Sequence, residues 1–186
     1  MNELRLGEAS FPCCYWLTGL PGSGKSTLAI GFADAMREIG EPCLVLDGDE
    51  ARKGFCCDLG YSARDRSENV RRLGEVAKIG VQSKIIVVVA AISPYAKDRL
   101  QVRERFVAGR YIEVFINASA SVCGRRDVKG HWAAAKSGNL RNFTGVDDPY
   151  EEPIAPSMEI FSDIATVSES INLLFEHYQR LKSGIC

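Results

Sequence analysis

The chain has 186 residues, enough for one domain with a full hydrophobic core, and its 46% apolar and 25% charged residues are ordinary for a globular protein. A net charge of −1 supplies no global field for nucleic acid or an anionic membrane, so an anionic ligand must be held by local basic residues. No apolar run reaches the roughly 18 residues of a membrane span, and an N-terminus carrying Glu3, Arg5 and Glu8 does not read as a signal peptide, so the expected location is the cytoplasm.

Strand-like and helix-like segments alternate, which predicts an α/β fold: a parallel sheet with helices on both faces. Cys14–Leu20 reads as a buried strand. The next segment, Gly19-Leu20-Pro21-Gly22-Ser23-Gly24-Lys25-Ser26, followed by Thr27, matches G-x-x-x-x-G-K-[ST]. Glycines let backbone N–H groups turn inward around phosphate oxygens, and the next helix adds its positive end. Lys25 would reach the β- and γ-phosphates of ATP, and the Ser26 hydroxyl would ligate Mg²⁺. Ser26–Ile39 reads as that helix, with Leu28, Phe32, Met36 and Ile39 on one face and Gly40 ending it.

Pro42–Leu46 is a second strand, and it ends in Leu46-Asp47-Gly48-Asp49. A small-molecule kinase needs a carboxylate beside its phosphate loop to take or orient the acceptor hydroxyl proton. The bland reading of Asp47 and Asp49 is an Asx-type turn. Asp65–Ser83 is a long helix with Val70, Leu73 and Ala77 inward. Ile85–Ile92 is the clearest strand and runs into Ser93-Pro94-Tyr95. Helix Ala96–Val107, strand Ile112–Ile116 and a short helix Ser119–Arg126 follow. Residues 127–156 break the rhythm with glycines, prolines and scattered basic and aromatic residues, and read as a lid. Met158–Ser162 is a fifth strand, and Thr166 with Glu169 forms a capping box for a last helix to about Lys182. The motif N-K-x-D of a GTPase is absent. Seven cysteines without C-x-x-C or metal spacing read as reduced thiols.

Ten segments, in one order from Tyr15 to Lys182, resemble the adenylyl-sulfate kinase family. They are Trp16-Leu17-Thr18-Gly19-Leu20, Leu46-Asp47-Gly48-Asp49, Leu59-Gly60-Tyr61, Asp65-Arg66, Glu68-Asn69-Val70-Arg71-Arg72, Gly74-Glu75-Val76-Ala77-Lys78, Ile92-Ser93-Pro94-Tyr95, Glu113-Val114-Phe115, Arg126-Asp127-Val128-Lys129-Gly130 and Asn142-Phe143-Thr144-Gly145. The resemblance implies one P-loop kinase domain that moves the ATP γ-phosphoryl to the 3′-hydroxyl of adenosine 5′-phosphosulfate, in sulfate assimilation and as a homodimer. It implies Asp49 as general base. It implies Arg52, Tyr61, Arg66, Asn69, Ile92, Lys129 and Phe143 as acceptor contacts, with Tyr61 and Phe143 sandwiching the adenine. Arg126 falls near the ATP base. Ser93 matches a serine labelled in the family as a phosphorylated intermediate; a hydroxyl that hydrogen-bonds substrate is the plainer physical reading.

Departures from the family pattern are concentrated in the lid. Where the family usually runs Lys-Gly-Leu-Tyr-Lys-Lys-Ala-Arg-Ala-Gly, this chain has Lys129-Gly130-His131-Trp132-Ala133-Ala134-Ala135-Lys136-Ser137-Gly138. Fewer lid cations predict weaker nucleotide binding or a different acceptor nucleotide. Glu50 stands where the family commonly has Asn, with Lys53 placed to offset its charge. Two alternatives stay open: a kinase for the 3′-hydroxyl of another nucleotide, and a weakly active nucleotide-binding module that regulates a partner.

Overall fold

The computed structural model describes residues 10–127 and 130–184. Five parallel strands form one sheet in the order β2-β3-β1-β4-β5. They are β1 (Cys14–Thr18), β2 (Cys43–Asp47), β3 (Ile86–Ala90), β4 (Tyr111–Asn117) and β5 (Met158–Phe161). β1 and β3 are buried along their whole length, as near-continuous apolar runs must be when helices cover both faces.

The strand period of two divides β1 between two cores. Tyr15 and Leu17 pack with Phe32 and Met36 of α1 (Lys25–Glu38) and with Leu174 and Tyr178 of α7 (Val167–Lys182). Cys14 and Trp16 pack on the other face with Val70, Leu73 and Ala77 of α3 (Ala63–Gln82) and Val102 of α4 (Ala96–Arg103). Burying each large apolar side chain contributes about 1.5–3 kcal/mol.

Local chemistry sets the helix ends. The Ser62 hydroxyl accepts from the Asp65 N–H at 3.2 Å and starts α3. Thr166 and Glu169 cap each other's backbone N–H groups at the start of α7, as the sequence predicts. At the end of α1, Gly40 has φ +82° and its N–H reaches the Arg37 carbonyl, while the Glu41 N–H closes on Met36. Ile39, expected on the buried face of α1, sits at this turn instead and is 45% exposed.

Two helices lie where the sequence reads as a turn and as a lid. Asp47 caps α2 (Gly48–Lys53), where the sequence suggested only a turn. Within residues 127–156 lies α6 (His131–Lys136), following α5 (Ala120–Arg126). The third strand is shorter than the apolar run 85–92. Its register with β2 ends at the pair Asp47–Ala90; the Ala91 N–H still donates to the Leu17 carbonyl at 3.2 Å, and the chain then turns away through Ser93 at φ +47°. All strands end at one edge of the sheet. The loops after β1, β2 and β3 therefore meet there, and the site lies on them.

The six described cysteines are free thiols. Burial pushes the Cys43 thiol up to about 12 and raises Cys13, Cys14, Cys56 and Cys123, so these side chains act as small apolar groups.

Candidate active site

The phosphate loop springs directly from β1. A Cβ on Gly19 would lie 2.5 Å from the Ile116 carbonyl oxygen, and one on Gly22, which has φ +83°, 2.9 Å from the Cys123 carbonyl oxygen. Both positions need glycine because the loop is pressed against β4 and α5. Lys25 Nζ donates to the Gly19 and Leu20 carbonyls at 2.9 and 2.8 Å, which holds the ammonium inside the loop. Gly24, with φ +97°, opens α1.

Ser26 Oγ donates to Asp47 Oδ2 at 2.6 Å. The other Asp47 oxygen accepts from the Asp49 and Glu50 N–H groups at 2.8 and 3.3 Å. Asp47 thus fixes the first turn of α2 and faces the phosphate loop at once. Among the described residues no cluster of three or more His, Cys, Asp or Glu side chains could cage a metal. A hydroxyl paired with one carboxylate nevertheless fits Mg²⁺, which keeps most of its shell as water and phosphate oxygens.

A cavity of about 830 Å³ runs from this loop to α3. Of the sequence-predicted residues it is lined by Pro21, Gly22, Gly24, Lys25, Ser26, Thr27, Asp49, Arg52, Tyr61, Arg66, Asn69, Ile92, Ser93, Arg126 and Phe143. Gly19 and Leu20 lie behind it as carbonyl partners of Lys25, and Ser23 lines a second cavity. Lys129 lies outside the described residues.

Basic residues gather at the α3 end. Arg52 donates to the Gly60 carbonyl at 2.5 Å and stands 4.7 Å from the Tyr61 ring centroid. Arg66 is 7% exposed; it donates to the Tyr61 and Asn142 carbonyls and lies 3.5 Å from Asp148. Burial lowers the Arg66 pKa, and the Asp148 carboxylate works against that shift. Asn69 follows one turn later on the same face, and its Oδ1 is buried without a partner.

The wall at residues 92–93 is held rigidly. Thr18 Oγ1 donates to the Ile92 carbonyl at 2.6 Å, and Trp16 Nε1 donates to Ser93 Oγ at 3.0 Å. Buried Arg99 donates to the Ser93 carbonyl, the Glu113 carboxylate and the Glu151 carbonyl, at 2.7, 2.8 and 2.7 Å. Ser93 Oγ accepts from an indole donor, and among the described residues no base is bonded to it, so its geometry is that of a positioned hydroxyl rather than an activated nucleophile.

Described residues of the 127–156 segment pack against the loop. Trp132 Nε1 donates to the Pro21 carbonyl at 2.9 Å, and its ring meets Phe143 edge-on at 5.3 Å. These two residues form a small separate core with Ala118, Cys123 and Ala135, and Leu20 and Leu140 pack against it. Asp147 accepts from the Phe143 and Asn142 N–H groups at 2.6 and 2.8 Å, which fixes Asn142 at φ +57° and aims the following ring. These bonds hold the Asp147 carboxyl below its usual range. The brace is complete above about pH 4 and is lost as the pH falls through the lowered value.

Phe143→Ala is expected to weaken the acceptor by about 1–3 kcal/mol, the worth of one base stack, and to leave ATP affinity nearly unchanged. Separate calorimetric titrations with the two nucleotides check this; equal losses would place the ring in the fold rather than at the acceptor.

The altered lid residues fall differently from expectation. Ala133 is exposed, and neither Ala133 nor Ala134 lines the cavity; His131 and Trp132 do. Alanines here extend α6, for which they are the best residues. Ala133→Lys is therefore expected to change nucleotide affinity by no more than about twofold, as an exposed charge would. A tenfold tightening would show instead that a lysine at 133 reaches the phosphates.

Arg126 closes the opposite end. Its guanidinium donates to the Ser162 carbonyl at 2.5 Å, and Ser162 Oγ donates to the Ser23 carbonyl at 2.7 Å. A cavity of about 340 Å³ beside it is lined by Thr27, Ala165, Thr166, Val167 and Ser170, among others. Four features escaped the sequence: the Ser26–Asp47 pair, the Trp132 tie to Pro21, the Arg99 anchor and the buried Thr144. Each depends on residues more than 20 positions apart or on a side chain whose direction only packing decides.

Known proteins are similar to this chain over most of its length. The family model for adenylylsulphate kinase matches residues 11–161. Adenylyl-sulfate kinase from Marinobacter nauticus is 45% identical over 168 residues, covering 90% of this chain and 84% of that protein. The enzyme of the same name from Pseudomonas entomophila is 46% identical over 166 residues, covering 89% and 80%. Among solved structures, the APS kinase of Mycobacterium tuberculosis in complex with AMPPNP and APS superposes with a TM-score of 0.87 at 36% identity, covering 91% of this chain and 99% of that one. With a family model matched over most of the chain and relatives at 45–46% identity, the chain belongs to the adenylylsulphate kinase family of ATP-dependent kinases.

Proposed function

We propose that this site transfers the γ-phosphoryl group of MgATP to the 3′-hydroxyl of adenosine 5′-phosphosulfate, giving ADP and 3′-phosphoadenosine 5′-phosphosulfate. The observation that carries the reading is the continuity of the cavity: Lys25 and Ser26 at one end, Asp49 on the wall, and Arg52, Arg66, Asn69 and Phe143 at the other.

In this reading the loop N–H groups and Lys25 hold the β- and γ-phosphates, with the ATP base beside Arg126. Ser26 and Asp47 would hold Mg²⁺, which would neutralise charge on the phosphate oxygens. Asp49 takes the proton of the 3′-hydroxyl as its oxygen bonds to the γ-phosphorus and the bond to the β–γ bridging oxygen breaks. Phe143 and Tyr61 hold the adenine. Arg52, Arg66, Asn69, Ile92 and Lys129 hold the rest of the acceptor. Ser93 positions substrate from the wall tied down by Trp16 and Arg99. Residues 127–156 act as a lid that excludes water over the phosphate loop through the Trp132 contact.

The acceptor preference carries a second reading. His131 and Trp132 stand on the cavity wall where the family usually has Leu and Tyr, which favours a shifted choice of nucleotide. Comparing kcat/KM for adenosine 5′-phosphosulfate with that for other nucleoside phosphates tests both; a higher value for another acceptor would replace the first reading with the second. The chain is expected to work as a homodimer in the cytoplasm, and light scattering at micromolar concentration checks the dimer.

A further inference from the structure

Thr144 poses a problem that the fold alone does not solve. The residue is fully buried and is one of those lining the main cavity, yet among the described residues its Oγ1 has no hydrogen-bond partner. A buried hydroxyl left unpaired is destabilising, and valine, of the same shape, would avoid that loss.

The loop around it is not loose. Thr144 bridges to Asp148, and the Gly145 N–H donates to the Asp148 carbonyl at 2.9 Å. Arg66 of α3 grips the same loop through the Asn142 carbonyl and the Asp148 carboxylate, and the Tyr95 hydroxyl reaches Asp148 at 3.4 Å. The hydroxyl is therefore held in place without a protein partner, next to Phe143. A second buried polar atom without a hydrogen-bond partner among the described residues, Asn69 Oδ1, belongs to a residue of α3 that lines the same cavity. Two unsatisfied polar groups at the acceptor end are explained if both gain partners when the cavity fills.

We propose that the Thr144 hydroxyl hydrogen-bonds the acceptor nucleotide and is a specificity-determining group for it. The proposal rests on the assignment of the α3 end to the acceptor. A hydroxyl is neutral and both donates and accepts. Arg52 and Arg66 already supply the charge that an anionic group requires, so Thr144 suits the uncharged nucleoside part.

The test is Thr144→Val beside Thr144→Ser, with affinities for adenosine 5′-phosphosulfate and for a non-hydrolysable ATP analogue measured by titration, and thermal midpoints by circular dichroism. Thr144→Val is expected to weaken the acceptor about three- to tenfold, the worth of one neutral hydrogen bond, and to leave the ATP analogue unchanged. Its midpoint should equal or exceed that of the parent, because the unpaired group is gone. Thr144→Ser should keep acceptor affinity within about twofold.

A purely structural hydroxyl would instead lower the midpoint and weaken both nucleotides together, and that result would overturn the proposal. So would unchanged acceptor affinity in Thr144→Val, or a serine variant as weak as the valine one. If the parent chain bound no adenosine 5′-phosphosulfate at all, the acceptor reading would fall and this inference with it. If the parent binds and the valine variant binds equally, only this inference falls.

Discussion

Lys25→Ala is expected to lower turnover by at least about 10²–10³-fold while leaving the fold intact. The magnitude follows from removing one preorganised positive group from the place where charge develops during transfer. Lys25 is 8% exposed and held by the Gly19 and Leu20 carbonyls, so the ammonium is already confined to the loop before a nucleotide enters. A lysine free in solution would have to be ordered at the moment of reaction; this one does not. Lys25 belongs to neither sheet-facing core, so its loss leaves the packing of α1 on the sheet in place. Steady-state turnover beside a circular dichroism melt checks both halves of the prediction. Turnover equal to that of the parent would remove the phosphate loop from the mechanism.

Asp49→Asn is expected to lower kcat by about 10²–10⁴-fold, the range of a positioned general base, with ATP affinity nearly unchanged. The two aspartates are placed differently. Asp47 uses one oxygen on Ser26 and the other on the start of α2, so both of its oxygens are engaged on the phosphate side. Asp49 sits in the first turn of α2, exposed on the cavity wall between the loop and Arg52. Asp47→Asn should accordingly cost less at saturating Mg²⁺ and raise the Mg²⁺ concentration needed for half-maximal rate. A metal titration of both variants distinguishes them, and the reverse pattern would exchange their roles.

Much of this was legible in the sequence for identifiable reasons. The apolar run at 85–92 and the strand before Gly19 can be read because fully buried strands tolerate few polar residues. The Thr166–Glu169 capping box is a local signal and held to the residue. The phosphate loop is legible because only a few residue types let the backbone wrap an anion. Where local signals end, reading fails. Leu46-Asp47-Gly48-Asp49 looks like a turn, and only the Asp47 cap and the packing of Ala51 beneath make residues 48–53 a helix. Ile39 fits the apolar period of α1, but Gly40 turns the chain before it can be buried. The lid alanines looked like lost cations, whereas α6 directs Trp132 to Pro21 and leaves Ala133 in solvent. Thr144 could not be found from sequence, because an unpaired hydroxyl is a property of its surroundings.

The most direct measurement is the fate of the γ-phosphoryl group. The chain is incubated with MgATP labelled at the γ-phosphorus and adenosine 5′-phosphosulfate, and the nucleotide product is isolated and its phosphorylated oxygen assigned by phosphorus NMR. The account predicts one 3′-phosphoadenosine 5′-phosphosulfate for each ADP, with little ADP formed when the acceptor is left out. ADP release that does not depend on the acceptor, or label on any oxygen other than the 3′, would contradict it.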